Sequence, residues 1–213
     1  GDHRDLHAFP TRRSSDLADD TQPLGAHAIL LGPSKHIEAL GVAIDFAALG
    51  MEGYVLRTAG PHLIIAGGEP RGTLYGVYGL LEDHFGCKWF TPEVSKIPET
   101  KRLKLEALDE TTIPVLEYRE PFTIDCFDGD WCARNRMNSS TGRLEEKHGG
   151  KVRFGAGMFV HTFNRLLPPK QYFAEHPEYF SLVRGARLGE HTQLCCTNRS
   201  EEHTSELQSR QSI

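Results

Sequence analysis

Apolar residues at Leu74, Val77, Tyr78, Leu81 and Phe85 recur at i, i+3, i+4, i+7 and i+11, a spacing that places them on one face of a helix. Pro70 suits the first turn of that helix and Gly86 the left-handed residue that ends it. Gly72, Gly76 and Gly79 form a second stripe at helical spacing. Each interior glycine costs about 1 kcal/mol against alanine, so a bare face predicts close approach to a sheet. Gly67 and Gly68 before the helix invite a phosphate-cradle reading. That chemistry wants free loop amides and a Lys with Ser or Thr opening the helix. Glu69 stands there instead, and its charge repels phosphate.

Upstream, the apolar run Ala26 to Gly32 predicts a buried strand stopped by Gly32-Pro33, and Ser34 caps a short helix through Leu40. Tyr54 to Thr58 and His62 to Ala66, joined by Ala59-Gly60-Pro61, predict a hairpin. Downstream, Cys87 to Phe90 predicts a strand and Arg102 to Ala107 alternates like a half-exposed edge strand. The polar segment Leu108 to Pro114 reads as a linker. Beyond it, Val115 to Glu120 is strand-like, Asp128 or Asp130 caps a helix through Met137, and Asn138 to Lys151 reads as an exposed loop. Gly157 to Phe163 is strand-like, Pro168-Pro169 opens a helix through His176, and Tyr179 to Val183 and Thr192 to Cys196 flank a turn at Arg184 to Gly189.

The two ends change how composition is read. Residues 1–17 and 199–213 resemble in-frame translations of adapter oligonucleotides used in short-read sequencing, so they are set apart from the fold as a tag would be. The formal net charge is -5, and leaving out both ends keeps the balance slightly acidic. No clustered Lys and Arg offers a nucleic-acid or anionic-membrane footprint, and no apolar run approaches the ~20 residues that span a bilayer. Cys87, Cys126, Cys132, Cys195 and Cys196 show no paired CxxC and no His at finger spacing, so neither zinc nor another metal is expected. They read as ordinary thiols, with a Cys126–Cys132 pair as the alternative.

The stretches GTLYGVYGLLEDHFGCKWFTP, EYREPF (Glu117 to Phe122), DGDWCARNRMN (Asp128 to Asn138), HTFNRLLPPKQYFAEHPEYFSL (His161 to Leu182) and HTQLCCTN (His191 to Asn198) together resemble an uncharacterised family of bacterial proteins. Its members pair an alpha-glucuronidase-type amino-terminal domain with a glycoside-hydrolase-like barrel. The resemblance implies an α/β fold: a small amino-terminal α/β domain at 18–110, a mixed sheet with helices, followed at 111–198 by the truncated start of a (β/α)₈ barrel. It implies a fragment of a polysaccharide-degrading protein, inactive alone because the catalytic carboxylates lie downstream of residue 198. The rival expectation is a non-catalytic carbohydrate-binding or surface-assembly protein. Neither needs a cofactor. The expected partner is an oligo- or polysaccharide, and the parent is expected to be secreted or periplasmic.

Within that frame, Arg119 at a barrel strand end is the first candidate for substrate, because a guanidinium fork holds a carboxylate bidentately; the alternative is a structural salt bridge, with Glu120 as its partner. Trp131, Arg134 and Asn135 share a helical turn; Trp131 either stacks on a sugar or packs in the core. His161 and Asn164 flank Phe163 in HTFN, where a barrel presents them to its pocket. Glycoside hydrolysis wants two opposed carboxyl groups, but Glu117, Glu120, Asp128 and Asp130 carry no such spacing, and the two aspartates read as helix caps.

Overall fold

The central strand is buried on both sides and therefore lacks polar alternation. In the computed structural model, which describes residues 18–100, 103–195 and 197–198, β3 (His62–Gly67) lies between β1 (Ile29–Leu31), parallel to it, and β2 (Tyr54–Ala59), antiparallel. Leu30 opposes Ile64, and Leu56 opposes Ile65. A fourth strand, β6 (Asp109–Thr112), pairs antiparallel with β2, so the sheet runs β1-β3-β2-β6. One face carries Tyr54, Leu56 and Ile65 against α3 (Gly72–Gly79). The other carries Leu30, Ile64 and Ala66 against Ile37 of α1 (Lys35–Ala39) and Phe46 of α2 (Phe46–Leu49). This is a mixed sheet with helices, the small α/β domain expected. The hairpin forms as expected, and Ser34 caps α1 by accepting the His36 amide at 3.1 Å.

Helix α3 meets the sheet with its glycine face, as expected, but its apolar stripe is less covered than the pattern suggests. The side of α3 that the sheet buries is Gly72, Tyr75, Gly76 and Gly79, while the apolar stripe lies beside it and is only partly covered. Val77 and Phe85 pack on the sheet cluster, whereas Leu74 and Tyr78 turn to a second core around Trp131. A π-helical turn over Leu80–His84 widens the helix at its end, and Gly86 follows at φ +71°.

The expected linker is β6 itself, whose Asp109 accepts from Arg57 Nε at 2.6 Å. The edge strand expected over Arg102 to Ala107 is absent among the described residues; Leu105 packs on the core without strand pairing. Short β4 (Lys88–Trp89) and β5 (Ser95–Lys96) make a separate hairpin. Val115 to Glu120, expected to be strand-like, forms no strand and bends at Val115 and Glu117. Asp128 caps α4 (Gly129–Arg134), accepting Trp131 N–H at 2.7 Å. The loop expected to be exposed after it is in part interior: Asn138, Ser139, Leu144 and His148 are buried.

Residues through Gly150 form one compact unit and those from Lys151 a second. In the second, Gly157 to Phe163 is not a strand but a 3₁₀ turn at Gly155–Gly157 and irregular chain before α5 (Phe163–Leu166). Pro169 opens α6 (Pro169–Tyr172), shorter than expected. The hairpin β7 (Leu182–Val183) and β8 (Ala186–Arg187) turns at Arg184-Gly185, and Phe180 bridges Leu194. The readings of residues 1–17, 199–213 and Cys196 fall outside the described residues.

Candidate functional site

The densest polar cluster is built on Glu52, which the sequence pattern does not single out. Its Oε1 accepts from Arg71 Nε and from Asn138 Nδ2, both at 2.8 Å, and its Oε2 accepts from Arg119 Nη2 at 2.6 Å. Glu52, Arg71 and Asn138 are all buried. Arg71 also donates from Nη1 to the Gly149 carbonyl at 3.0 Å, while its buried Nη2 meets no acceptor among the described residues. Tyr75 lies under the Arg119 guanidinium, 5.9 Å from the ring centroid, and donates its hydroxyl proton to the Met137 carbonyl at 2.9 Å. Burial, then the Glu52 charge, pushes the Tyr75 phenol up to about 12, so it stays a donor at any physiological pH. The partners of Glu52 lie 19 and 86 residues away in sequence at Arg71 and Asn138, beyond the reach of any local pattern.

Arg119 is thus held by three bonds from its guanidinium: to Glu52, to the Arg136 carbonyl at 2.8 Å and to the Leu116 carbonyl at 2.6 Å. Its own amide donates to Asn138 Oδ1 at 2.9 Å. Its ion-pair partner is Glu52 and not Glu120. Trp131 is buried and donates Nε1–H to the Trp89 carbonyl at 3.1 Å, in the cluster with Cys126, Cys132 and Leu144. Asn135 ends α4 and donates to the Trp89 and Trp131 carbonyls; Arg134 is partly buried on the same helix. In the second unit, His161 and Asn164 are both exposed, and His161 adopts a left-handed φ of +54°, unusual for a residue with a Cβ.

The carboxylates take separate roles. Asp128 is a cap, as expected. Asp130 accepts from Lys147 at 2.8 Å and from His148 Nε2 at 2.7 Å, and these bonds, that of Lys147 first, lower its carboxyl to about 2. His148 Nδ1 accepts the Glu145 amide at 2.9 Å, which leaves the ring proton on Nε2, facing Asp130. Cys126 and Cys132 are free thiols.

The glycine turn before α3 binds its own chain. Gly68 N–H donates to the Gly53 carbonyl at 2.9 Å, Arg71 N–H to Met51 at 3.1 Å and Gly67 N–H to Thr73 Oγ1 at 3.1 Å. A Cβ at Gly67, Gly68 or Gly72 would collide with backbone of Gly72, Gly50 or Gly53 respectively. The space a phosphate would occupy is filled by the 50–53 turn. Beside it an open cavity of about 220 Å³ has Glu52 and Arg71 in its lining, with Ile113 to Glu117 as a wall. Among the described residues no group of three or more His, Cys, Asp or Glu is placed to hold a metal, and no helix is long and apolar enough to cross a membrane.

No curated protein and no solved structure gives a significant match to the chain. Residues 13–80 match the family model described as the glycosyl hydrolase family 67 N-terminus. Residues 89–204, more than half of the chain, match the model of the uncharacterised family described as Domain of unknown function (DUF4838), and the chain belongs to that family.

Proposed function

We propose that this chain is part of a bacterial, glycoside-hydrolase-like protein that acts on uronic-acid-bearing polysaccharides. The observation that carries this reading is the junction of a family 67 N-terminal segment to the DUF4838 segment in one chain. In this reading residues 111–198 begin a (β/α)₈ barrel, whose chemistry sits at the carboxyl ends of strands. The acid and base belong to strands past residue 198, since Asp128 and Asp130 are engaged as a cap and an ion pair. The fragment then binds sugar without cleaving it, and residues 1–17 and 199–213 are adapter-derived; reading the gene from source DNA tests that last point.

His161 and Asn164 are the substrate contacts of this proposal, both exposed and with no side-chain bond among the described residues that would occupy them. Arg119, Trp131, Arg134 and Asn135 belong to the first unit and contribute there as support, Arg119, Trp131 and Asn135 through the bonds described above. The intact gene product, incubated with glucuronoxylan oligosaccharides, is expected to release sugar with a free reducing end. Binding without cleavage would favour the carbohydrate-binding protein, and the absence of both would overturn the proposal. His161→Gly suits the positive φ, so it is expected to fold and to lose binding.

A further inference from the structure

Strand β1 is an open edge of the four-stranded sheet. Its apolar run predicts burial, yet only Leu30 of the strand is inside; Ile29 is 63% exposed and Leu31 55%. The Ala28 carbonyl and the Gly32 amide both bond to β3, at 3.0 and 2.9 Å. The two-residue alternation of a strand then turns the N–H and C=O of Leu30 to β3 and those of Ile29 and Leu31 outward. Among the described residues no backbone bond meets them there.

Two cavities flank this edge, and Ile29 to Leu31 wall both. The larger, about 570 Å³, opens on the α3 side, where Ile65, Val77, Leu81 and Phe85 make it apolar. The glycine face seats α3 over Tyr54 of β2, so Ile29 and Leu31, beyond β3, stay uncovered. The smaller, about 250 Å³, lies by the start of α1 and is polar, with Asp19, Asp20, Ser34 and His36 in its lining. Asp19 Oδ1 accepts the Thr21 amide at 2.9 Å and Asp20 Oδ2 the Lys35 amide at 3.2 Å; the second oxygen of each carboxylate meets no donor among the described residues. Neither lining holds a Lys or Arg, and the Lys35 charge acts on Asp19 without pairing with it.

An edge with free amides and carbonyls accepts a further strand, and a strand sends alternate side chains to opposite faces. Here one face is apolar and the other acidic. A lipid chain would leave the outward backbone groups unpaired. A second copy would offer Ala28 to Pro33, which has no cation, and would bring its own Asp19 and Asp20. We propose that the β1 edge binds an extended peptide as an added strand, its apolar residues entering the α3-side cavity and its intervening Lys or Arg meeting Asp19 and Asp20. This binding is separate from the carbohydrate reading and does not depend on it.

The test titrates the full 213-residue chain by calorimetry with a capped pentapeptide of alternating lysine and leucine. Two analogues carry glutamate for lysine, or N-methyl groups on every internal amide. Both analogues are expected to bind at least about tenfold more weakly, through charge reversal and through loss of the ladder. Ile29→Pro deletes one outward amide, a change an edge strand tolerates, and is expected to weaken the lysine peptide about tenfold with a melting temperature within about 3 °C of wild type. By NMR the Ile29 and Leu31 amides should exchange freely in the free chain and be protected by the peptide. No binding of the lysine peptide, or equal binding of the N-methylated one, overturns the proposal; the latter decides the point even if Ile29→Pro fails to fold. Equal binding of the glutamate peptide removes the acidic recognition. Slow exchange of both amides in the free chain, or self-association that Ile29→Pro abolishes, would show the edge already paired and overturn the proposal.

Discussion

Removing Glu52 would leave the guanidinium groups of Arg71 and Arg119 in the interior with no anion between them. Stripping one partner from a buried ion pair costs about 3–5 kcal/mol, so Glu52→Ala is expected to lower urea stability by that order; a loss under about 1 kcal/mol would show that the network contributes little. Asp130 works in the opposite regime, because half of its side chain is exposed. Its folded carboxyl, at about 2, lies below the usual 3.8, so its contribution is complete above the unfolded value and is lost as pH falls through about 2. With solvent screening that contribution is under about 1 kcal/mol. Asp130→Asn should therefore narrow the stability gap to wild type as pH drops from 5 to 2, read by acid unfolding. Among thiols, hydrogen bonds from Thr197 and then Arg187 lower Cys195 to about 7, whereas burial raises Cys132 to about 11. Iodoacetamide near neutral pH is expected to label Cys195 before Cys132, as mass spectrometry of the native chain would show.

Helix α3 shows what periodicity can and cannot decide. Its existence, its glycine stop and its approach to a sheet are legible, because 3.6-residue spacing and the cost of interior glycine are local properties. The face the sheet takes is legible too: the bare glycine stripe predicts the close approach, and the sheet takes those glycines with Tyr75, while the coverage of the stripe from Leu74 to Phe85, only partial, is not. Three substitutions rank that contact. At Gly72 a Cβ meets the Gly53 carbonyl, at Gly79 the hydroxyl end of Tyr54, and at Gly76 Ile65 Cγ2 and Tyr54 Cβ at 3.0 and 3.2 Å. Alanine gains about 1 kcal/mol of helix propensity, against overpacking costs of about 1–3 kcal/mol. Thermal melts should order the losses Gly72→Ala, Gly79→Ala, Gly76→Ala, since backbone gives way less than a side chain. β6 fails the other way: four polar residues, all exposed, read as a linker and pair only because β2 offers an open edge.

At the scale of the molecule, the amino-terminal domain expected at 18–110 lies within a first compact unit that runs through Gly150. Arg119, Asn138, the Met137 carbonyl and Trp131 all close bonds or core begun by Glu52, Tyr75 and Trp89. A chain of residues 18–110 is expected to show no cooperative urea transition by circular dichroism, while 18–150 shows one; a sigmoidal transition of equal midpoint in the shorter chain would refute the coupling.

The sequence by itself determined the hairpin, the first capped helix, α3, the cap at Asp128 and the family, because each rests on neighbours within a few residues or on long continuous motifs. Only the tertiary structure decided that Glu52 gathers Arg71, Arg119 and Asn138, that Arg119 pairs with Glu52 and not with its neighbour Glu120, and that the glycine turn closes on residues 50–53. Hydrogen bonding and charge pairing act through space, and the chain separation between partners, up to 86 residues here, leaves no periodic trace in the sequence.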